Sequence, residues 1–301
     1  MAIASAAIPS TTGIARPRRA RDPRRFSRGL RRLPVRILIA VIVIVELYPI
    51  FWLVMGSFKT QNEFAVKQTW ALPEQLDFQN YVDAWTTGHL AHNMLNSLLV
   101  VVPALVLMIV LGVSAAFALE VMVWKGRNVF LLAFVAGIMI PGQMILVPLF
   151  TVYFKIGLTN TLWPLIITYT VLGLPLTVFL LAAYFRAIPR EVFEAATIDG
   201  ASMLRAFWLI GVPLMRNAIL TIALVEFFSV WNDLLIALTF TTNDTLSTVQ
   251  VGLLNFSDEY GSVQYGPLFA AVTINVLGIG ILYLFLNRQI MSGLAAGSLK
   301  G

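Results

Sequence analysis

Six stretches of about 20 or more mostly apolar residues decide what this chain can fold into, because a helix needs about that many to cross a hydrocarbon core of about 30 Å. They lie at about 36–56, 95–119, 129–154, 161–185, 216–238 and 268–287. Backbone in lipid must satisfy its own N–H and C=O groups, so each stretch is expected to be a helix. The chain therefore reads as an all-α membrane protein with six transmembrane helices. Its composition agrees: 58 % of the 301 residues are hydrophobic, 12 % are charged and the mean hydropathy is +0.83, where soluble domains carry about 25 % charged residues. The absence of cysteine excludes a disulfide framework, a thiolate metal site and a cysteine nucleophile.

Ten of the 21 Lys and Arg residues fall between Arg16 and Arg36, accompanied by one acid, Asp22. Such a segment suits a nucleic-acid arm, an organelle transit peptide or the cytoplasmic flank of a first membrane helix. The apolar run that follows at once favours the flank, with no nucleic-acid partner. Residues 1–35 are accordingly read as a cytoplasmic Arg-rich segment and 36–301 as the six-helix domain. With the N-terminus inside, 18 of the 21 basic residues lie on the cytoplasmic side, leaving Lys59, Lys67 and Lys155 outside. That asymmetry follows the positive-inside rule and places both termini in the cytoplasm. Pro103, Pro141, Pro148, Pro164 and Pro175 fall inside the expected spans, where each removes a backbone donor and tends to kink its helix.

Ionisable groups at membrane depth are costly and draw attention to themselves. Glu46 and Glu120 are assigned to packing or interface pairing. In the fifth span, Ser229, Asn232 and Asp233 share a helical face with Glu226 one turn earlier, a polar stripe. It suits a solute lining, with Trp231 stacking on a sugar face, and suits somewhat better hydrogen bonding to neighbouring helices or a partner subunit. His89 and His92 are three apart without a third ligand of suitable spacing, which fits an ordinary loop helix better than a metal site. There is no G-x-x-x-x-G-K-[ST] phosphate loop, and the "GIG" at 278–280 sits within a span. No Ser-His-Asp or paired-carboxylate arrangement makes a case for catalysis.

Between the fourth and fifth spans, "RAIPREVFEAATIDGASMLRAFWLIGVPLMRN" interrupts the apolar pattern. Pro189 suits a first helical position, Glu191 and Glu194 suit the positive end of the helix dipole, and Gly200 suits the residue after a helix end. These signals give a helix of about 11 residues, too short to span a membrane. Ser202 suits the cap of a second short helix with Leu204, Phe207, Trp208 and Leu209 on a broad apolar face, ended by Gly211 and Pro213. The pair, at about 189–211, either presents Ala195, Ala196 and Glu194 to another protein's cleft or lies on its own bundle.

The spacing Glu194-Ala195-Ala196, three residues, Gly200, nine residues, Ile210, one residue, Val212-Pro213 resembles the EAA signature of ABC importer permeases. Val212 stands where that family usually has leucine. "YPIFWLVMGSFKT", "IPGQMILVPLF", "WNDLLIALTF" and the terminal "GLAAGSLKG" are similar to the carbohydrate-uptake branch, in particular the smaller permease of the maltose type. The resemblance covers about residues 36–301 and leaves out the Arg-rich start.

That resemblance implies the type I ABC importer permease fold in a bacterial or archaeal plasma membrane. It implies a non-enzymatic subunit that passes a sugar or sugar-like solute. Its partners would be a second permease, two ATPase subunits that alone hold ATP and Mg, and an extracytoplasmic solute-binding protein. The motif residues Glu194, Ala195, Ala196, Asp199, Gly200, Ile210 and Pro213 would form the ATPase-coupling site, with Glu194 paired to a basic residue of the ATPase. The C-terminal tail would reach the ATPase interface. An ion-gradient-driven transporter or channel is the alternative, motivated by the prolines and by Glu226 and Asp233.

Overall fold

The computed structural model describes residues 33–298 except 69 and 258–260, with side chains described over 34–285 apart from those four. The Arg-rich start before residue 33, the side chain of Arg288 and the last three residues, with Lys300, lie outside the described residues. Among the described residues the elements are helical, apart from one isolated bridge between Ser257 and Val263. Four helices among the described residues are long and apolar enough to cross a membrane without interruption: α1 (Leu33–Gly56), α4 (Leu90–Glu120), α7 (Trp163–Arg186) and α12 (Tyr265–Ser298). Two short helices, α2 (Gln61–Val66) and α3 (Gln79–Thr86), lie between the first two.

The third expected span is a bent pair and the fifth is interrupted; the other bent pair long enough for one span joins residues 203–214 to 216–231. In the third, α5 (Arg127–Ile138) turns by 88° into residues 142–155, which comprise one 3-10 turn and α6 (Leu146–Lys155). The break falls at Pro141, whose extended backbone (ψ 115°) cannot continue a helix. Its neighbours are apolar on both sides, so hydropathy reads straight through it. The fifth expected span stops early, at the end of α10 (Arg216–Trp231), and resumes as α11 (Leu235–Phe240). Asp233 sits in the break, and its Oδ1 accepts from the backbone N–H groups of Ile236 and Ala237 at 2.9 and 3.3 Å. It thereby caps the short helix, a role that competes with continuing the long one.

Of the five prolines expected to kink spans, two do lie in helix interiors, Pro103 in α4 and Pro175 in α7. Pro164 and Pro148 instead occupy the first turns of α7 and α6, where the missing N–H has no helical partner to lose. They start helices rather than bend them.

The fold divides by its contacts into residues through Phe51 and residues from Trp52 onward. In the first unit every described side chain of α1 is exposed, Glu46 included. An apolar helix with no protein cover belongs in lipid or against another subunit.

In the second unit, α4 and α7 form the central pair. They approach closely at Gly112, where an added Cβ would lie 2.5 Å from Thr177 Cγ2. Helices in lipid gain little from hydrophobic transfer between themselves, so small residues that let backbones meet are the main source of contact. A larger apolar core joins α4, α6, α7, α10 and α11, and a second one gathers at the far end of α4 and α7 around Phe117 and Phe185.

The segment after α11 is tied back to α4 by polar anchors. Asn96 Nδ2 donates to the carbonyls of Thr245 (2.9 Å) and Ser247 (3.0 Å), and Val249 N–H donates to Ser97 Oγ (2.9 Å). His92 Nε2 meets the Thr245 carbonyl at 2.7 Å, and His89 holds a left-handed turn (φ 49°) at the start of α4. The two histidines thus serve local structure at one end of the bundle.

Candidate functional site

The polar interruption after α7 folds as a seated pair of short helices. The first, α8, runs Glu191–Ile198, eight residues rather than about 11, because Pro189 lies in the turn leading in. Its carbonyl accepts from Val192 N–H at 3.3 Å. Gly200 ends the helix in the left-handed region (φ 79°), with Gly200 N–H bonding to Thr197 O (3.0 Å) and Ala201 N–H to Ala196 O (2.9 Å). That is a complete Schellman closure, which satisfies the last carbonyls of α8 and reverses the chain.

Ser202 then caps α9 (Met203–Leu214), its Oγ accepting from Arg205 N–H at 3.3 Å. Gly211 and Pro213 do not end this helix as the sequence pattern suggests. Residues Phe207–Gly211 widen into a π turn, Val212 N–H reaches back to Phe207 O, and the chain passes Pro213 to stop at Leu214. A wide turn just before a proline relieves the clash its ring would make four residues back. The bend into α10 is 71°.

One side of this pair is anchored. Phe117 of α4 is a hub, with Phe185 of α7, Phe193 of α8 and Phe207 of α9 edge-on around it at centroid distances of 5.7, 5.7 and 5.1 Å. Ala196 is 8 % exposed and faces this cluster, so it is not part of the presented surface. Ile210 packs partly against the same cluster. Glu120 and Arg186 close the end of α4 on the end of α7 with an ion pair.

The other side is open. Glu194, Ala195, Ile198, Asp199, Gly200 and Pro213 are exposed, Ile198 to 86 %. Of the expected apolar face, Leu204 and Leu209 are 68 and 65 % exposed with Trp208 exposed beside them, while Phe207 is buried. Beside Glu194 a groove of about 440 Å³ runs between α8 and the 121–124 turn, lined by Met122, Trp124, Arg190, Phe193 and Thr197 among others. Sequence reasoning missed the aromatic seat. The spacing of Phe193 and Ala196, three apart on one helical face, carried the signal for it.

The stripe expected on the fifth span is rearranged. Ser229 and Asp233 line a notch of about 170 Å³ with Glu226, Gly173 and Tyr169. Tyr169 donates its hydroxyl to Asp233 Oδ1 at 2.9 Å, and Thr177 Oγ1 donates to Glu226 Oε1 at 3.4 Å. Trp231 and Asn232 leave this group. Trp231 is 5 % exposed, stacks on Phe227 (5.4 Å) and donates Nε1–H to Asn275 Oδ1 (3.0 Å). It is a core residue, unavailable for stacking on a sugar. Asn232 donates to the Phe228 carbonyl of its own helix at 2.9 Å. Glu226, which the stripe put only one turn before Ser229, is the residue that joins the notch.

Comparison with known proteins bears on both regions. The family described as binding-protein-dependent transport system inner membrane component matches residues 94–294, a span that includes the helix pair and the notch. The diacetylchitobiose uptake system permease protein NgcG of Streptomyces coelicolor is 35 % identical over 88 % of this chain and 86 % of its own length. The sulfoquinovosyl glycerol transport system permease protein SmoH of Agrobacterium fabrum is 33 % identical, covering 89 % and 94 %. The trehalose transport system permease protein SugB of Mycobacterium tuberculosis is 32 % identical, covering 88 % and 96 %. Among solved structures, a bacterial ABC transporter involved in the import of the acidic polysaccharide alginate shares the fold, with a TM-score of 0.73 at 22 % identity over 91 % of this chain and 99 % of that one. With matches of this length and identity, the chain belongs to the binding-protein-dependent transport system inner membrane component family, as a membrane-spanning, non-catalytic permease subunit of an ABC importer.

Proposed function

We propose that the exposed side of the α8–α9 pair is the coupling surface of this permease. The observation that carries the reading is that five of the seven EAA-motif residues, Glu194, Ala195, Asp199, Gly200 and Pro213, are exposed. The other two, Ala196 and Ile210, are turned into the seat around Phe117. One face of the motif is rigidly held while the other is free for a partner. The partner is an ATPase subunit, with Glu194 pairing to one of its basic residues, and ATP and Mg belong to the ATPases. The assembly is this chain, a second permease, two ATPases and an extracytoplasmic binding protein. Domain organisation follows the same logic: the cytoplasmic segment 1–35, the permease domain 36–301, and both termini on the ATPase side.

The cargo is a sugar or sugar-like solute. Support comes from the named substrates of the relatives, diacetylchitobiose, sulfoquinovosyl glycerol and trehalose, all saccharides or glycosides. No observation favours the ion-gradient-driven alternative. The test is to introduce Glu194→Ala and Gly200→Val and to measure both ATP-driven uptake in reconstituted vesicles and co-purification of the ATPase. Each substitution is expected to lower both. Uptake and assembly equal to the wild type would remove the coupling role.

A further inference from the structure

The exposed apolar side of α4 does not stop where the helix ends. Val102, Val106, Val110 and Ser114 recur every fourth residue and are all exposed, so they form one stripe along a spanning helix. Ser114 satisfies its hydroxyl within the helix, donating Oγ–H to the Val110 carbonyl at 2.7 Å. At its foot the stripe runs into a groove of about 340 Å³ between the end of α4 with its 121–124 turn and the start of α9, lined chiefly by Ser114, Ala118, Met122, Met203, Leu204 and Phe207.

The rim of this groove is basic. Arg127 Nη1 donates to the Met122 carbonyl at 3.2 Å, which holds its guanidinium beside a lining residue. Arg205 follows the lining Leu204 and is exposed. Among the described residues neither arginine is in an ion pair. Trp124 donates Nε1–H to the Ala118 carbonyl at 2.8 Å, and Trp208 is exposed one turn beyond Leu204. Tryptophans at the end of a spanning helix mark the level of the lipid headgroups. The helix α9 turns 71° from α10, so it runs across the bundle rather than along it, as a helix at the membrane interface does.

From an apolar groove that continues a membrane-exposed stripe and carries two arginines on its rim, we infer that it is a binding site for an anionic phospholipid. One acyl chain follows the α4 stripe into the groove, and the phosphate accepts from the guanidiniums of Arg127 and Arg205. A phospholipid presents chain and phosphate in the same order in which stripe and rim succeed each other, and basic pockets at the cytoplasmic ends of spanning helices suit anionic headgroups. The inference rests on the coupling reading, which puts this end of the bundle in the cytoplasm, and adds that α8 and α9 face different phases. The groove shares Met122 and Met203 with the one beside Glu194, so the lipid abuts the coupling groove.

The test is fluorescence quenching in the purified complex of both permeases and both ATPases, with cysteines removed from the partner subunits, in phosphatidylcholine nanodiscs. A bimane is placed at Leu204→Cys, and part of the lipid is replaced by phosphatidylglycerol or phosphatidylcholine brominated on its acyl chains. With about a tenth of the lipid brominated, random occupancy gives about a tenth of full quenching, whereas a lipid favoured about fivefold by each arginine gives about half or more. The first is expected for phosphatidylcholine and the second for phosphatidylglycerol. Arg127→Gln combined with Arg205→Gln is expected to bring phosphatidylglycerol down to the phosphatidylcholine level; the two lipids compared with both arginines in place decide the matter even if that variant fails to assemble. Equal quenching by the two lipids would overturn the inference, and quenching by neither would overturn it by showing the groove covered by protein. Ala195→Cys, labelled in the same way, separates this inference from the coupling reading. Its bimane is expected to stay unquenched by either lipid, and that result together with equal quenching at position 204 would remove the lipid site alone. Quenching at 195 equal to that at 204 would overturn the coupling reading and the inference with it.

Discussion

Phe117 holds more of the candidate coupling site together than any residue of the motif itself. It touches an aromatic ring from each of α7, α8 and α9, and truncating a buried Phe typically costs about 3–5 kcal/mol. Phe117→Ala is expected to lower the thermal unfolding midpoint of the purified complex and to loosen the ATPase, whereas Phe117→Leu should retain most of both. Gly200 acts through its backbone: at φ 79° a side chain costs about 1–2 kcal/mol although nothing crowds the position. Glu63 offers a pH test outside the membrane spans. The Glu74 N–H at 2.8 Å, with the Thr60 N–H and hydroxyl and Lys67, draws its carboxyl from the ordinary 4.5 down to about 2. Because the folded value is the lower one, the contribution is present above about pH 4.5 and is lost as the pH falls toward about 2. Unfolding midpoints measured across that window should decline, and Glu63→Gln should flatten the decline.

At the scale of elements, the α4–α7 pair is the frame on which both candidate sites are hung, with the aromatic seat at one end and the notch on α7 facing α10. Gly112 sets their separation, so Gly112→Leu, which drives new atoms into Thr177, is expected to destabilise the purified complex by about 1–3 kcal/mol as read from its unfolding midpoint. Much of this element plan is legible in the residues. Hydropathy locates the four uninterrupted helices and the bent third span but misplaces the fifth, Ser202 and Gly200 announce the cap and the reversal, and the EAA spacing names the family. What hydropathy does not carry is direction. Pro141 and Asp233 interrupt apolar windows without changing their average, and so the 88° break and the early end of α10 are visible only in three dimensions. The stripe failed for a related reason: helical spacing places Trp231 and Asn232 near Asp233, but the helix ends there, and packing on Phe227 and Asn275 takes Trp231 into the core. Conversely, the π turn at Phe207–Gly211 lets a helix run past a glycine and a proline that local propensity reads as a stop.

At the scale of the whole molecule, the chain is a permease subunit whose seated helix pair, under the proposed coupling role, receives force from an ATPase. The chain contains no cysteine, so single cysteines can be introduced without background. Neighbouring alanines of the motif differ in the structure, Ala195 being exposed and Ala196 turned into the Phe117 cluster. The most direct measurement is therefore site-specific cross-linking from Ala195→Cys, Ile198→Cys and Ala196→Cys to the ATPase subunit in the assembled complex. Strong cross-links are expected from positions 195 and 198 and little or none from 196. Cross-links of equal yield from all three, or from none, would contradict it.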